Sequence, residues 1–169
     1  MAFFLALVHG TVKDDRGVIK VDVGRLPWNR ERFGTAPDSS RHSLGEPGES
    51  WREAETEYKV IKRLNYKVTE WERRKHPGKD FGYTLLELNP KTGRTHQIRV
   101  HLKSIGHPVV ADEFYAGRKT AREDRKWCPR LFLHAGEIEF RHPITNEGMR
   151  LKTELPRDLD AALEQTQRS

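Results

Sequence analysis

The sequence predicts an α+β protein built mainly from β-strands, with two or three helices. Runs of aliphatic and aromatic residues at 3–9 and 83–88 are typical of buried strands. The segment 18–23 alternates apolar and polar residues, which favours a half-buried strand. Helical signals follow residue 91 and recur towards the C-terminal end. At 169 residues, the chain is the size of a single domain.

The remaining elements follow in chain order. The segment 24–53 is rich in proline and glycine and predicts a long loop inserted in the domain. Alternation resumes at 54–61, and 67–80 is a charged excursion before the next strand. The predicted later elements are strands at 129–134, 136–140 and 148–153, a short helix at 119–126, and a terminal helix that begins at Pro156.

The segment 85–107 is the most informative part of the chain. Asn89-Pro90 ends a strand, and Thr92 or Thr95 is placed to cap a helix that runs to about Ser104. The apolar residues of this helix, Ile98, Leu102 and Ile105, predict one buried stripe; Arg99 and Lys103 lie on another. A basic helix after a turn is either a phosphate or nucleic-acid site or an ordinary solvated surface.

Charge points to a polyanionic partner. Lysine and arginine number 31 against 25 acidic residues, which gives a formal net charge of +6, and RNA or DNA is the commonest partner for such a surface. The loop 24–53 adds Arg25, Arg30 and Arg32 beside Trp28 and Phe33. These side chains suit RNA contact by ion pairing and stacking, or they pack on the protein body.

Other classes of function lack support. Eight histidines are present, but His96 and His101 are five residues apart and no Cys-x-x-Cys or His-Glu-x-x-His pattern accompanies them, so no metal site is predicted. No P-loop, Gly-x-Gly-x-x-Gly or Gly-x-Ser-x-Gly motif is present. The single cysteine, Cys128, favours the reducing cytoplasm. No apolar run approaches membrane-spanning length, so no membrane partner is expected.

The segment 86–102, LELNPKTGRTHQIRVHL, followed by Gly106-His-Pro108, closely resembles the C-terminal signature of RluA-type pseudouridine synthases. Further stretches resemble that family in the same order: Phe4–Gly10, Arg52–Tyr58, Leu133–Ala135 and Phe140–Pro143. The likeness spans essentially the whole chain. It implies a mixed, mostly antiparallel sheet that acts on structured RNA, either rRNA or tRNA, without a cofactor. The reaction it implies detaches uracil at N1 and rejoins it through C5.

The resemblance also implies site residues. Arg99 matches the family's basic residue that pairs with the catalytic aspartate, and Phe4 stands where the family has a tyrosine against the target base. Phenylalanine keeps the stacking face and lacks the hydroxyl. The residues expected to contact RNA are Arg94, His96, Gln97, His101, Lys103, Arg25, Arg30 and Arg32.

One part of the family pattern is missing. The catalytic aspartate belongs to an Arg-Leu-Asp-x-x-Thr-Ser-Gly motif that precedes the first strand, and residues 1–169 contain no such motif. We therefore expect the C-terminal part of a catalytic domain, incomplete at the N-terminus and inactive alone, with a partner chain as one possible source of the aspartate. Asp112 is a poor substitute. A non-catalytic RNA-binding module and a degenerate remnant are the alternatives.

Overall fold

The computed structural model describes residues 1–26, 29–36, 51–64, 70, 74, 77–78 and 80–167. Six strands form one sheet: β1 (Ala2–His9), β2 (Arg16–Lys20), β5 (Glu55–Leu64), β6 (Tyr83–Pro90), β7 (Leu133–Arg141) and β8 (Gly148–Lys152). Their spatial order is β2-β5-β6-β1-β7-β8, and every neighbouring pair is antiparallel. The α+β prediction with a mostly antiparallel sheet is confirmed.

The sheet is centred on β1, as the apolar run at 3–9 predicts. β1 pairs with β6 on one side and β7 on the other. Ala6, Leu7 and Val8 are consecutive and completely buried. Because successive side chains of a strand point to opposite faces, both faces of β1 are covered here.

Part of the segment predicted as a loop is instead a β-hairpin. β3 (Val23–Leu26) pairs antiparallel with β4 (Asn29–Thr35). Glycine suggested a loop, but Gly24 is needed inside the strand because a Cβ there would lie 2.5 Å from the Trp51 ring. Residues 37–50, Trp28 and most of the predicted excursion at 67–80 lie outside the described residues.

Three helices have bounds within the described residues: α1 (Gln97–Ser104), α2 (Arg118–Asp124) and α3 (Arg157–Gln167). The N-cap of α1 is His96, with a left-handed φ of 56° and no side-chain cap hydrogen bond. The prediction that Thr92 or Thr95 caps this helix was therefore wrong. Thr92 instead accepts a hydrogen bond from the backbone N–H of Glu55, which ties the turn to β5.

The core joins the sheet to α1 and α3. Leu7, Leu86 and Leu102 belong to one buried cluster with Leu159 of α3. Ile105 was expected in this stripe, but it follows the last helical turn and is 37% exposed. In the part of the chain that is described, we find no helix with the length and apolar character needed to cross a membrane.

Candidate functional site

Arg99 and Asp112 form a bidentate ion pair at the centre of the candidate site. Nε and Nη2 of Arg99 each donate to one oxygen of Asp112, and both distances are 2.7 Å. The Asp112 side chain is completely buried and that of Arg99 is 14% exposed. Two parallel charge-assisted hydrogen bonds hold the planar guanidinium in one orientation.

Four hydrogen bonds hold the Asp112 carboxylate in place. Besides the two bonds from Arg99, its Oδ1 accepts from the backbone N–H groups of Phe114 and Tyr115 at 3.0 and 3.1 Å. The preceding residue, Ala111, has a left-handed φ of 59°, and its N–H donates to the buried carboxylate of Asp124. Hydrogen bonds on both sides of Asp112 therefore fix the turn that presents its carboxylate to Arg99.

Tyr115 links the hairpin to the start of α1. Its hydroxyl oxygen accepts from the backbone N–H of Phe33 at 3.2 Å and lies 3.0 Å from Nδ1 of His96. The Tyr115 hydroxyl therefore joins the Phe33 backbone to the His96 ring by hydrogen bonds. Burial, and then the nearby Arg99 charge, lower the pKa of His96, which favours its neutral form.

Aromatic rings surround the guanidinium of Arg99. Its Cζ lies 4.9 Å from the centroid of Tyr115 and 5.3 Å from that of Phe114. Arg32 approaches the Phe114 ring at 5.9 Å, and the ammonium of Lys103 donates to the backbone carbonyl of Tyr115. Arginine and aromatic faces together provide charge and stacking surface for a planar ligand.

Two residues expected to contact RNA are instead internal. Gln97 is 3% exposed and His101 is completely buried. The Gln97 amide donates to Thr56, and Thr56 Oγ1 is 2.9 Å from Nδ1 of His101, whose Nε2 donates to the carbonyl of Val21. Burial lowers the pKa of His101 and keeps it neutral. This polar chain fastens α1 to β5, so the assignment of Gln97 and His101 to RNA contact was wrong.

The other predicted residues are dispersed. Phe4 packs against the main core from β1, where it pairs with Leu88. Arg94 donates to the backbone carbonyl of Glu53. Arg25 is exposed, with its guanidinium 5.5 Å from the centre of the Phe33 ring. Arg30 lies on β4, and its side chain is outside the described part of the structure.

Two aromatic residues of the site, Phe114 and Tyr115, were not predicted from the sequence; we call them the aromatic wall. Phe114 and Tyr115 follow Asp112 closely, and the pattern of an acid followed by two aromatic residues was the available signal. Asp112 itself was considered only as a substitute nucleophile, whereas the structure uses it to hold Arg99.

Comparisons with known proteins all indicate the same class of protein. The family model described as RNA pseudouridylate synthase matches residues 4–104. An RNA pseudouridine synthase of Chlorobaculum parvum is 30% identical over 95% of this chain and 45% of its own length. Ribosomal large subunit pseudouridine synthase D of Nitrosomonas europaea is 33% identical over 95% of this chain and 39% of its own length. The solved structure of human RNA Pseudouridylate Synthase Domain Containing 1 has a TM-score of 0.69 at 28% identity, covering 95% of this chain and 58% of that one.

The family match and the likeness of fold thus define a pseudouridine synthase domain. The chain belongs to the RluA-type pseudouridine synthase family. It spans less than half the length of the two relatives compared above.

Proposed function

We propose that this chain is the part of a pseudouridine synthase catalytic domain that supplies the active-site arginine and the RNA-facing surface. The proposed reaction is isomerisation of uridine to pseudouridine in structured RNA, either rRNA or tRNA. The observation that carries the proposal is the orientation of Arg99 by Asp112 in a chain of this family.

Arg99 keeps hydrogen-bonding capacity for a second anionic group. Asp112 uses Nε and one Nη2 hydrogen, and the side chain makes no other hydrogen bond to the described residues. The N–H groups of Nη1 and the second of Nη2 are therefore available on the outer edge of the guanidinium. A catalytic carboxylate or a developing negative charge on the substrate would be stabilised at this edge.

Asp112 is unsuited to replace the missing aspartate. It is completely buried, and both of its oxygens already accept charge-assisted hydrogen bonds from Arg99. An attacking carboxylate or a general base must reach the reacting atom with an available lone pair. We therefore infer that the isolated chain is inactive and requires an aspartate from an adjoining segment or from a partner chain.

The basic surface supports RNA as the substrate. The formal net charge is +6. Arg32 contacts Phe114, Lys103 contacts Tyr115, and Arg25 contacts Phe33 of the hairpin. The Nitrosomonas europaea relative is named as a synthase that acts on the large ribosomal subunit. For this chain, rRNA is therefore the first RNA to test. A cytoplasmic location suits a chain whose single cysteine, Cys128, cannot form an intrachain disulfide.

The test is pseudouridine formation on bulk ribosomal and transfer RNA, measured by mass spectrometry after nuclease digestion. The purified 169-residue chain is expected to give no product. A version extended by a segment that carries Arg-Leu-Asp-x-x-Thr-Ser-Gly is expected to give product, and changing that aspartate to asparagine should abolish it.

Each other outcome has a definite meaning. Product from the 169-residue chain alone would overturn the inferred inactivity and make Asp112 the first acid to substitute. RNA binding without product from the extended version would favour the non-catalytic binding module instead.

A further inference from the structure

A second basic feature lies beside the Arg99 site. A cavity of about 500 Å³ is lined from β4 and from α2 and the segment before it. We call it the arginine groove. Its charged lining residues are Arg32, Arg118, Arg122, Arg125, Glu31 and Glu113. The volume lies within the roughly 300–1,000 Å³ of typical ligand sites.

The helix α2 arranges three of these arginines in a row. Arg118, Arg122 and Arg125 are spaced i, i+4 and i+7, so they share one helical face and span about 10 Å along the axis. Asp124 is buried, where it contacts His9 and the N–H of Ala111. The helix is therefore anchored through Asp124 while its arginines line the groove.

The positive charge of the row is only partly neutralised. Arg125 pairs with Glu113 at 2.9 Å. Arg118 and Arg122 are exposed, and neither has a hydrogen bond or ion pair to another residue of the described ranges. Like charges at i and i+4 of a helix repel each other. The groove lining carries four arginines against two glutamates, and this excess of positive charge is the arrangement expected where an external anion supplies counter-charge.

Phe114 joins the groove to the Arg99 site. It lines the groove and is 38% exposed. The same ring is approached by the guanidinium of Arg32 from β4 and by that of Arg99 from α1. A linear ligand with one unit at Arg99 can therefore continue along Phe114 into the groove.

We propose that the arginine groove binds backbone phosphates of the unpaired RNA that flanks the nucleotide at Arg99. Guanidinium groups match phosphate oxygens in charge and in hydrogen-bond geometry, and an exposed ring beside them offers a stacking surface for an unpaired base. This inference rests on the proposed function, since that function places an RNA nucleotide at Arg99.

The test measures binding rather than turnover. The 169-residue chain is titrated with a fluorescent single-stranded RNA at several salt concentrations. The double variant Arg118→Ala/Arg122→Ala is expected to bind about tenfold or more weakly at low salt, with a slope of log K against log salt smaller by about 1.4. Both side chains are exposed, and an unchanged Tm checks that the variant folds.

Two matched double variants separate the contribution of the groove to RNA affinity from the contribution of net charge. Lys119→Ala/Arg157→Ala removes the same charge from exposed positions outside the groove lining and is expected to bind RNA nearly as the parent does. Arg118→Lys/Arg122→Lys keeps the charge and should recover most of the affinity. Equal weakening in both alanine pairs, or no RNA binding by the parent chain at low salt, would overturn the proposal.

The outcome is separable from the test of the proposed function. Groove-dependent binding without pseudouridine from any extended version would support the groove and reject the enzymatic proposal. Product from the extended version with groove-independent binding would support the enzymatic proposal and reject the role of the groove.

Discussion

Two arginine–aspartate pairs among the described residues are joined through both Nε and Nη2 but lie in opposite surroundings. Arg99 and Asp112 pair with side chains 14% and 0% exposed, at 2.7 Å for both hydrogen bonds. Arg130 and Asp158 also pair through Nε and Nη2, at 2.6 and 3.2 Å, with side chains 45% and 38% exposed. The first pair forms the site, and the second joins the segment before β7 to the start of α3.

The difference in exposure between the two pairs shows that burial determines the role of an arginine–aspartate pair. Water screens Arg130 and Asp158, and exposed ion pairs contribute little to stability. Asp112 has no access to water, so its charge depends on Arg99 and on two backbone N–H groups. The buried pair therefore fixes an orientation, and the exposed pair supplies a local tether.

The largest effect is expected from Asp112→Ala. Removing this carboxylate leaves the Arg99 charge and two backbone donors without their acceptor, which costs about 3–5 kcal/mol in free energy of unfolding. Urea unfolding followed by circular dichroism measures the loss. If Asp112→Ala were no more harmful than Asp158→Ala, burial would not distinguish the two pairs.

Arg99→Ala tests the catalytic side of the comparison, in a longer protein that contains the aspartate motif. Loss of a preorganised cation at the reacting group is expected to lower turnover about 10²- to 10³-fold. RNA affinity of the folded protein should change little, because the proposed phosphate contacts lie in the arginine groove. Arg130→Ala is the matched control, and an unchanged pseudouridine yield from Arg99→Ala would reject the assigned role.

Tyr115→Phe tests how the site is joined to the hairpin. The change removes the acceptor for the Phe33 N–H and the hydrogen-bond partner of His96 Nδ1, and an unsatisfied buried group costs about 1–3 kcal/mol. Hydrogen exchange should accelerate at Phe33 relative to strands of the main sheet. Unaltered exchange there would mean that the tyrosine hydroxyl does not hold the hairpin.

A smaller effect is expected from pH. The pKa values of His96 and His101 are lowered, first by burial, so below about pH 6.5 the unfolded chain binds protons that the folded chain does not. Stability is therefore complete above that pH and falls as the pH is lowered. Urea unfolding at about pH 7.5 and pH 5.5 measures the decline, which should be smaller in His96→Phe. Greater stability at the lower pH would contradict neutral histidines.

The smallest effect is expected from Asp158→Ala. The carboxylate is solvated, and its partner Arg130 remains hydrated when the pair is broken. The Tm should decrease far less than in Asp112→Ala, and added salt should reduce the difference between Asp158→Ala and the parent. A large, salt-independent decrease would show that this pair is not screened as its exposure indicates.

Sequence patterns were sufficient for the local elements. The apolar run at 3–9 predicts the central strand, and the short helix expected at 119–126 is present at Arg118–Asp124. The hairpin β3–β4 was missed because Gly24 resembles a loop residue, and only the Trp51 ring packed on it shows why a strand needs glycine there.

What the sequence by itself determined was the class of domain, because strand alternation and a long contiguous motif are local properties; the catalytic role of Arg99 stays a prediction. The tertiary structure alone decided which face of α1 is internal. Gln97 and His101 look like polar RNA contacts in sequence, yet they meet Thr56 and Val21 across the fold. The partner of Arg99 was decided in the same way, because hydrogen bonds between distant segments depend on how the chain packs and not on local spacing.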